Sequence, residues 1–131
     1  MTLSDPGRKP VVARPRGGLL HALDAARYSL AGFRRLLHET AARLELLAGA
    51  VVALAYLWVG ATIWQWLVSG FLLALILAVE ALNTAIELLC DHVSPDWSQM
   101  AKEAKDLGSL AVGLLLLIAG CFVVSVLSGI I

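Results

Sequence analysis

The sequence has 131 residues, 60% of them hydrophobic and 15% charged, with a mean hydropathy of +0.83. Soluble domains run to about 45–50% apolar and about 25% charged residues, so this balance points to a membrane. It excludes a disordered chain, a secreted disulfide scaffold and a basic nucleic-acid-binding module. The net charge of zero is a sum of opposites: residues 1–45 hold eight Arg/Lys and four Asp/Glu, residues 80–106 hold two Lys and six Asp/Glu, and residues 46–79 and 107–131 hold neither sign.

Residues 1–18 contain three of the four prolines, three glycines and four basic residues. They read as a disordered basic arm on the cytoplasmic side. No uninterrupted apolar core or small-residue cleavage site follows the basic residues, which argues against a secretory signal. Residues 19–38 read as an amphipathic surface helix. Leu19, Leu23, Ala26, Leu30, Phe33 and Leu37 fall in a stripe about 80° wide at 100° per residue, while Asp24, Arg35 and Glu39 face away. A basic amphipathic helix beside an apolar block fits the membrane interface better than a soluble partner domain.

The charge-free run from Leu46 to Val79 is too long for one straight span. Its 34 residues would extend about 51 Å as a helix, against a hydrocarbon core of about 30 Å. Two spans joined by a turn at Gly60-Ala61-Thr62 fit better, with Tyr56, Trp58, Trp64 and Trp66 grouped around the turn as an interfacial belt. The expected spans are 39–58 and 62–93, the second running on past the bilayer. Residues 94–100 read as a connection, because Pro95 disfavours helix at Ser94 and Ser98 suits an N-cap. A third span is expected over 101–128, with Gly108, Ser109, Gly113 and Gly120 as small residues that permit close helix contact. The fold class is therefore all-α integral membrane, and residues 19–131 form its domain. The basic residues lie in the N-terminal part or between spans two and three, so the N-terminus and the acidic band are placed in the cytoplasm. Cys90 and Cys121 have no metal-type spacing and read as small apolar residues.

The acidic band has internal order. Glu80, Asn83, Thr84, Glu87 and Asp91 sit at offsets 0, 3, 4, 7 and 11, within about 100° of one another on a helix. Acids near membrane depth are costly and face an interior or cavity, and like charges so close call for a cation or a proton. Oxygen ligands of this kind suit Mg²⁺ shared with substrate phosphates. The alternative is a solvated face on a helix that has already left the bilayer. Asn83 and Thr84 among the acids, with alanines beside them, favour a packed polar site. A second group, Lys102, Lys105, Asp106 and Ser109, shares one face of the next helix. Its Lys could meet a phosphate, or the group could simply anchor the start of a span. Neither a GxxxxGK[ST] loop nor a kinase-type Gly-rich loop is present, nor GxSxG or HExxH.

The segment Glu80-Ala-Leu-Asn-Thr-Ala-Ile-Glu87 with Asp91, followed by Ala104-Lys-Asp-Leu-Gly-Ser109 and Ala111-Val112, resembles the prokaryotic diacylglycerol kinase family. The likeness covers about residues 19–128. It implies a homotrimeric inner-membrane lipid kinase with a surface helix and three transmembrane helices per subunit, and with sites between subunits. ATP would be the co-substrate and Mg²⁺ the cofactor. The resemblance implies Glu80 as the general base acting on the lipid hydroxyl, and Glu39 and Glu87 as the metal-binding carboxylates on the ATP phosphates. Asn83 and Asp91 would support the cluster. Tyr28, Asp96, Trp97, Ser98, Lys105 and Asp106 match nucleotide-contacting positions. Ala25, Ala26, Ser29, Leu30 and Ser109 match lipid-contacting ones. Trp97-Ser98 stands where the family carries a Tyr-His pair, and His21 where an Arg is common.

The expected activity is therefore ATP-dependent phosphorylation of diacylglycerol to phosphatidic acid at the cytoplasmic face. Undecaprenol is the alternative substrate. Gly108-Ser109 after Ala-Lys-Asp is closer to the diacylglycerol type. A small oligomeric ion channel and a non-catalytic membrane adaptor are the rivals from other classes.

Overall fold

A computed structural model of the chain describes residues 18–131. The arm expected over residues 1–18 therefore lies, apart from Gly18, outside the described residues. Four helices follow in chain order: α1 (Leu19–Leu36), α2 (Thr40–Val59), α3 (Ile63–Val93) and α4 (Gln99–Leu127). No strand occurs among the described residues.

The chain divides into two units, residues 1–31 and 32–131. In the described part of the first, Gly18 adopts a left-handed φ of 68°. Its carbonyl accepts the amides of His21 and Ala22, which starts the first turn of α1. Leu20, Leu23, Tyr28 and Leu30 are exposed there.

In the second unit, the amides of His38 and Glu39 bond back to the carbonyls of Arg35 and Leu36, so the chain closes α1 tightly before α2 begins. Glu39 is the N-cap residue of α2. Helix α2 ends at Gly60, whose φ of 69° is the left-handed conformation that stops a helix, and the Gly60 amide caps the Tyr56 carbonyl. Three residues later, at Ile63, α3 starts, with the Thr62 amide donating to Gln65 Oε1 at 2.6 Å. The charge-free run is thus two helices joined by a tight turn. Tyr56 is fully buried beside it, its ring edge-on to Trp66 and its hydroxyl 2.9 Å from Ser69 Oγ.

Helix α4 begins at Gln99, two residues before the expected start of the third span. The reason is local: Ser98 is already the N-cap and its Oγ accepts the amide of Ala101. Helices α3 and α4 share the most extensive contact, and α2 packs chiefly on α3. Gly49 lets α2 approach Leu73 of α3, since a methyl group there would stand 2.8 Å from its Cδ2. Three helices, α2, α3 and α4, are long and apolar enough to cross a membrane.

Candidate active site

The buried polar groups of the second unit are few and lie together. Glu80, Asn83 and Thr84 on α3 are buried, as is Glu45 on α2. The helix period brings residues 80, 83, 84 and 87 of α3 to one side, and the structure turns that side inward. The exposed side carries Ala81, Leu82, Leu88 and Leu89. Glu39 and Glu87 lie near enough for their charges to act on Glu80, and Glu80 does the same to Glu45. Four carboxylates from two helices and a helix start therefore share one region.

Each acid is held differently. Glu87 Oε1 accepts from Asn83 Nδ2 at 3.0 Å, one turn apart on α3. Glu39 pairs with Arg35 at 2.5 Å across the α1–α2 junction. Among the described residues, Glu45 Oε2 is buried with no hydrogen-bond partner, and so is Asn83 Oδ1. Buried acceptors of this kind are exceptional and mark a strained or ligand-directed place. Among the described residues no three His, Cys, Asp or Glu side chains converge as a ready-made metal cage. Two carboxylates that leave the rest of the coordination to phosphates and water suit Mg²⁺ better than such a cage.

Asp91, one turn beyond Glu87, forms an ion pair with Lys105 of α4. It ties the end of α3 to the first turns of α4. Asp106 pairs with Lys102 at 2.5 Å on its own helix. Lys105 and Asp106 thus have separate partners. Asp91, Trp97, Ser98, Lys102, Lys105 and Asp106 border a cavity of about 240 Å³ between the end of α3, the connection and the start of α4. This hollow holds two lysines, each paired with a carboxylate of the same lining, beside the Ser98 hydroxyl, so a phosphate entering it would compete with Asp91 and Asp106 for the ammonium groups. Asp96 lies in the connection and is exposed, and does not border the hollow. Ser109 is exposed on α4. Ala25, Ala26, Tyr28, Ser29 and Leu30 are exposed on α1, in the first unit.

A larger apolar cavity of about 430 Å³ runs between α2, α3 and α4, with Glu45 at its edge and Tyr56 and Trp66 at the other end. Sequence reasoning used Glu45 only in the charge count. The available signal was an acid one residue before a charge-free run, since an ionisable group inside an apolar helix is a functional candidate by default. Cys90 is half-buried and Cys121 exposed, and both are free thiols.

Comparison with known proteins accords with this arrangement. Residues 27–127 match the family described as prokaryotic diacylglycerol kinase. A diacylglycerol kinase from Sinorhizobium is 47% identical over 105 residues, covering 80% of this chain and 77% of the relative. One from Pseudomonas aeruginosa is 41% identical over 97 residues, covering 72% and 77%. One from Escherichia coli K12 is 36% identical over 105 residues, covering 78% and 84%. The match extends through all three apolar helices and both polar groups of residues. The chain is an enzyme, a membrane-bound kinase, and it belongs to the prokaryotic diacylglycerol kinase family.

Proposed function

We propose that the protein phosphorylates diacylglycerol to phosphatidic acid, with ATP as phosphate donor, at the cytoplasmic face of a bacterial inner membrane. One observation carries this reading: a buried carboxylate, Glu80, lies among other acids on a helix whose next turns lead to the Lys105–Asp91 pair and the polar hollow beside it. The relatives named diacylglycerol kinase support the choice of lipid.

Glu80 accepts the proton of the lipid hydroxyl as its oxygen attacks the γ-phosphorus of ATP. The bond to the β–γ bridging oxygen breaks, and ADP leaves. Base catalysis of this kind contributes about 10²–10⁴-fold. Glu39 and Glu87 are carboxylates from different elements, and their hard oxygen donors fit Mg²⁺. Glu39 and Glu87 would hold Mg²⁺, which would supply positive charge against the phosphates and against the repulsion among the acids. Asn83 holds Glu87 in place. Lys105 and Asp106 contact the nucleotide, with Trp97, Ser98 and Asp96 of the connection, and the family resemblance adds Tyr28 of α1 to the nucleotide-contacting residues. Ala25, Ala26, Ser29, Leu30 and Ser109 face the lipid. In this reading α1 lies in the interface, the apolar stripe in the acyl region and the basic flank toward the headgroups. The N-terminus is cytoplasmic by the distribution of Arg and Lys.

Residues 19–131 form the kinase domain. One thin subunit has too little surface to enclose a lipid and a nucleotide together, which favours a site between subunits, and the family resemblance implies a homotrimer. The test is phosphate transfer from Mg²⁺-ATP to diacylglycerol and undecaprenol, measured side by side in detergent or lipid. Preference for diacylglycerol is expected. Preference for undecaprenol would reassign the substrate, and no transfer to either alcohol would remove the kinase reading.

A further inference from the structure

The two glycines nearest the proposed ATP-binding pair differ in surroundings: Gly108 is buried and Gly113 is open. A methyl group at Gly108 would overlap Asn83 Oδ1 and stand 3.2 Å from Asn83 Cγ. The carboxamide of Asn83 thus occupies the space that a side chain at position 108 would fill. Its other end, Nδ2, donates to Glu87 Oε1 at 3.0 Å. Turning the amide over would set its oxygen against the Glu87 carboxylate, so the observed orientation is the favourable one. That orientation leaves Oδ1 buried with no N–H or O–H donor among the described residues.

We infer that Gly108 is a positioning residue of the active site, whose missing side chain lets α4 hold the Asn83 carboxamide against Glu87. This rests on the kinase reading given above for Glu87, and extends it to a residue that touches neither substrate nor metal. Its consequence is specific. Ala suits a helix interior better than Gly, and the nearest obstacle is the end of a side chain that can rotate away. Gly108→Ala therefore leaves the fold intact or firmer, while Asn83 swings off Glu87.

The experiment uses the full chain in detergent or bilayers with Gly108→Ala, Asn83→Ala and the double variant. The side-chain amide signal of Asn83, identified in a ¹⁵N spectrum by its absence from Asn83→Ala, is expected to move in Gly108→Ala while the unfolding midpoint stays level or rises. In the kinase assay kcat falls at least tenfold and half-saturating Mg²⁺ rises severalfold. Adding Gly108→Ala to Asn83→Ala changes kcat less than twofold, because the obstacle is already gone. The inference is overturned by an unmoved amide signal, by kcat within twofold of the parent, or by an equal loss in both backgrounds. Should Gly108→Ala not fold, a folded double variant supports the inference, and an unfolded one shows that the methyl meets something other than Asn83 and overturns it. A parent protein without phosphate transfer would sink the kinase reading instead, and the amide signal alone would then decide the Gly108–Asn83 contact.

Discussion

Glu80 and Glu45 are both more than nine-tenths buried on neighbouring helices, and the charge of Glu80 reaches Glu45. An acid so placed costs free energy, and the chain recovers it only if the group does chemistry or finds a cation. Glu80→Gln keeps the size and hydrogen-bonding capacity of the side chain and removes its basicity. Turnover is expected to fall about 10²–10⁴-fold with the unfolding midpoint unchanged, as read by phosphate transfer and thermal denaturation. Undiminished turnover would show that another group takes the proton. Glu45 has a buried oxygen that nothing among the described residues satisfies, so Glu45→Leu is expected to raise stability by roughly 1–3 kcal/mol and to alter turnover through the changed charge beside Glu80. A lowered unfolding midpoint would instead point to a partner for Glu45 beyond this chain. Lys105 is more than a third exposed and pairs with a still more exposed Asp91, so the pair adds little to stability. Lys105→Ala should raise the KM for ATP about 10–100-fold, the worth of a charged hydrogen bond to phosphate, with little effect on denaturation. The stripe from Glu80 to Asp91 was legible in the sequence because a helix puts offsets of 3, 4, 7 and 11 on one side. Glu45 was not, because a period along one helix says nothing about which acid of another helix meets it. The Asn83–Gly108 contact was hidden for the same reason.

At the scale of elements, the 31 residues of α3 extend about 46 Å, well beyond a hydrocarbon core of about 30 Å. Glu80 stands 17 residues from the start of α3 at Ile63, about 26 Å along the helix axis. A helix entering at the Trp64 end therefore brings Glu80 to the opposite edge of the core, where a lipid hydroxyl and an aqueous nucleotide can both reach it. That depth depends on the turn at residues 60–62. Gly60 is the element's fixed point, since its φ of 69° is strained for any residue with a Cβ. Gly60→Ala is expected to cost about 1–2 kcal/mol, seen as a lower unfolding midpoint with turnover retained below the transition. An unchanged midpoint would mean that the turn relaxes freely and does not set the register of α3. The four helices and the three apolar ones were legible from charge-free length and from Gly and Pro punctuation. The N-cap role of Ser98 was legible too, and α4 starts at Gln99 directly after it.

For the whole molecule, little of the apolar helix surface is used within one chain. In the most apolar stretches of α2, α3 and α4, 17%, 22% and 11% of residues are buried. Lipid can cover such faces, but the glycines on α4 say more. Gly113 and Gly120 are seven residues apart, on one side of the helix, and a methyl group at either would meet nothing within 4 Å among the described residues. Gly120 borders the apolar cavity between α2, α3 and α4 and Gly113 does not, and neither is needed for a close contact among the described residues, although each weakens the helix relative to Ala. Small residues on an open face of a membrane helix allow a second backbone to approach closely. Assembly through this face follows from the homotrimer proposed above. The variant Gly113→Leu with Gly120→Leu should leave the chain helical, since the added side chains find open space and Leu is a good helix former. It should lower the mass of the complex in native mass spectrometry toward that of a single chain. Phosphate transfer should fall in step, because a site built between subunits cannot survive in separated ones. An unchanged oligomer with full activity would move the subunit contact to another face, and a monomer with full activity would place the entire site within one chain.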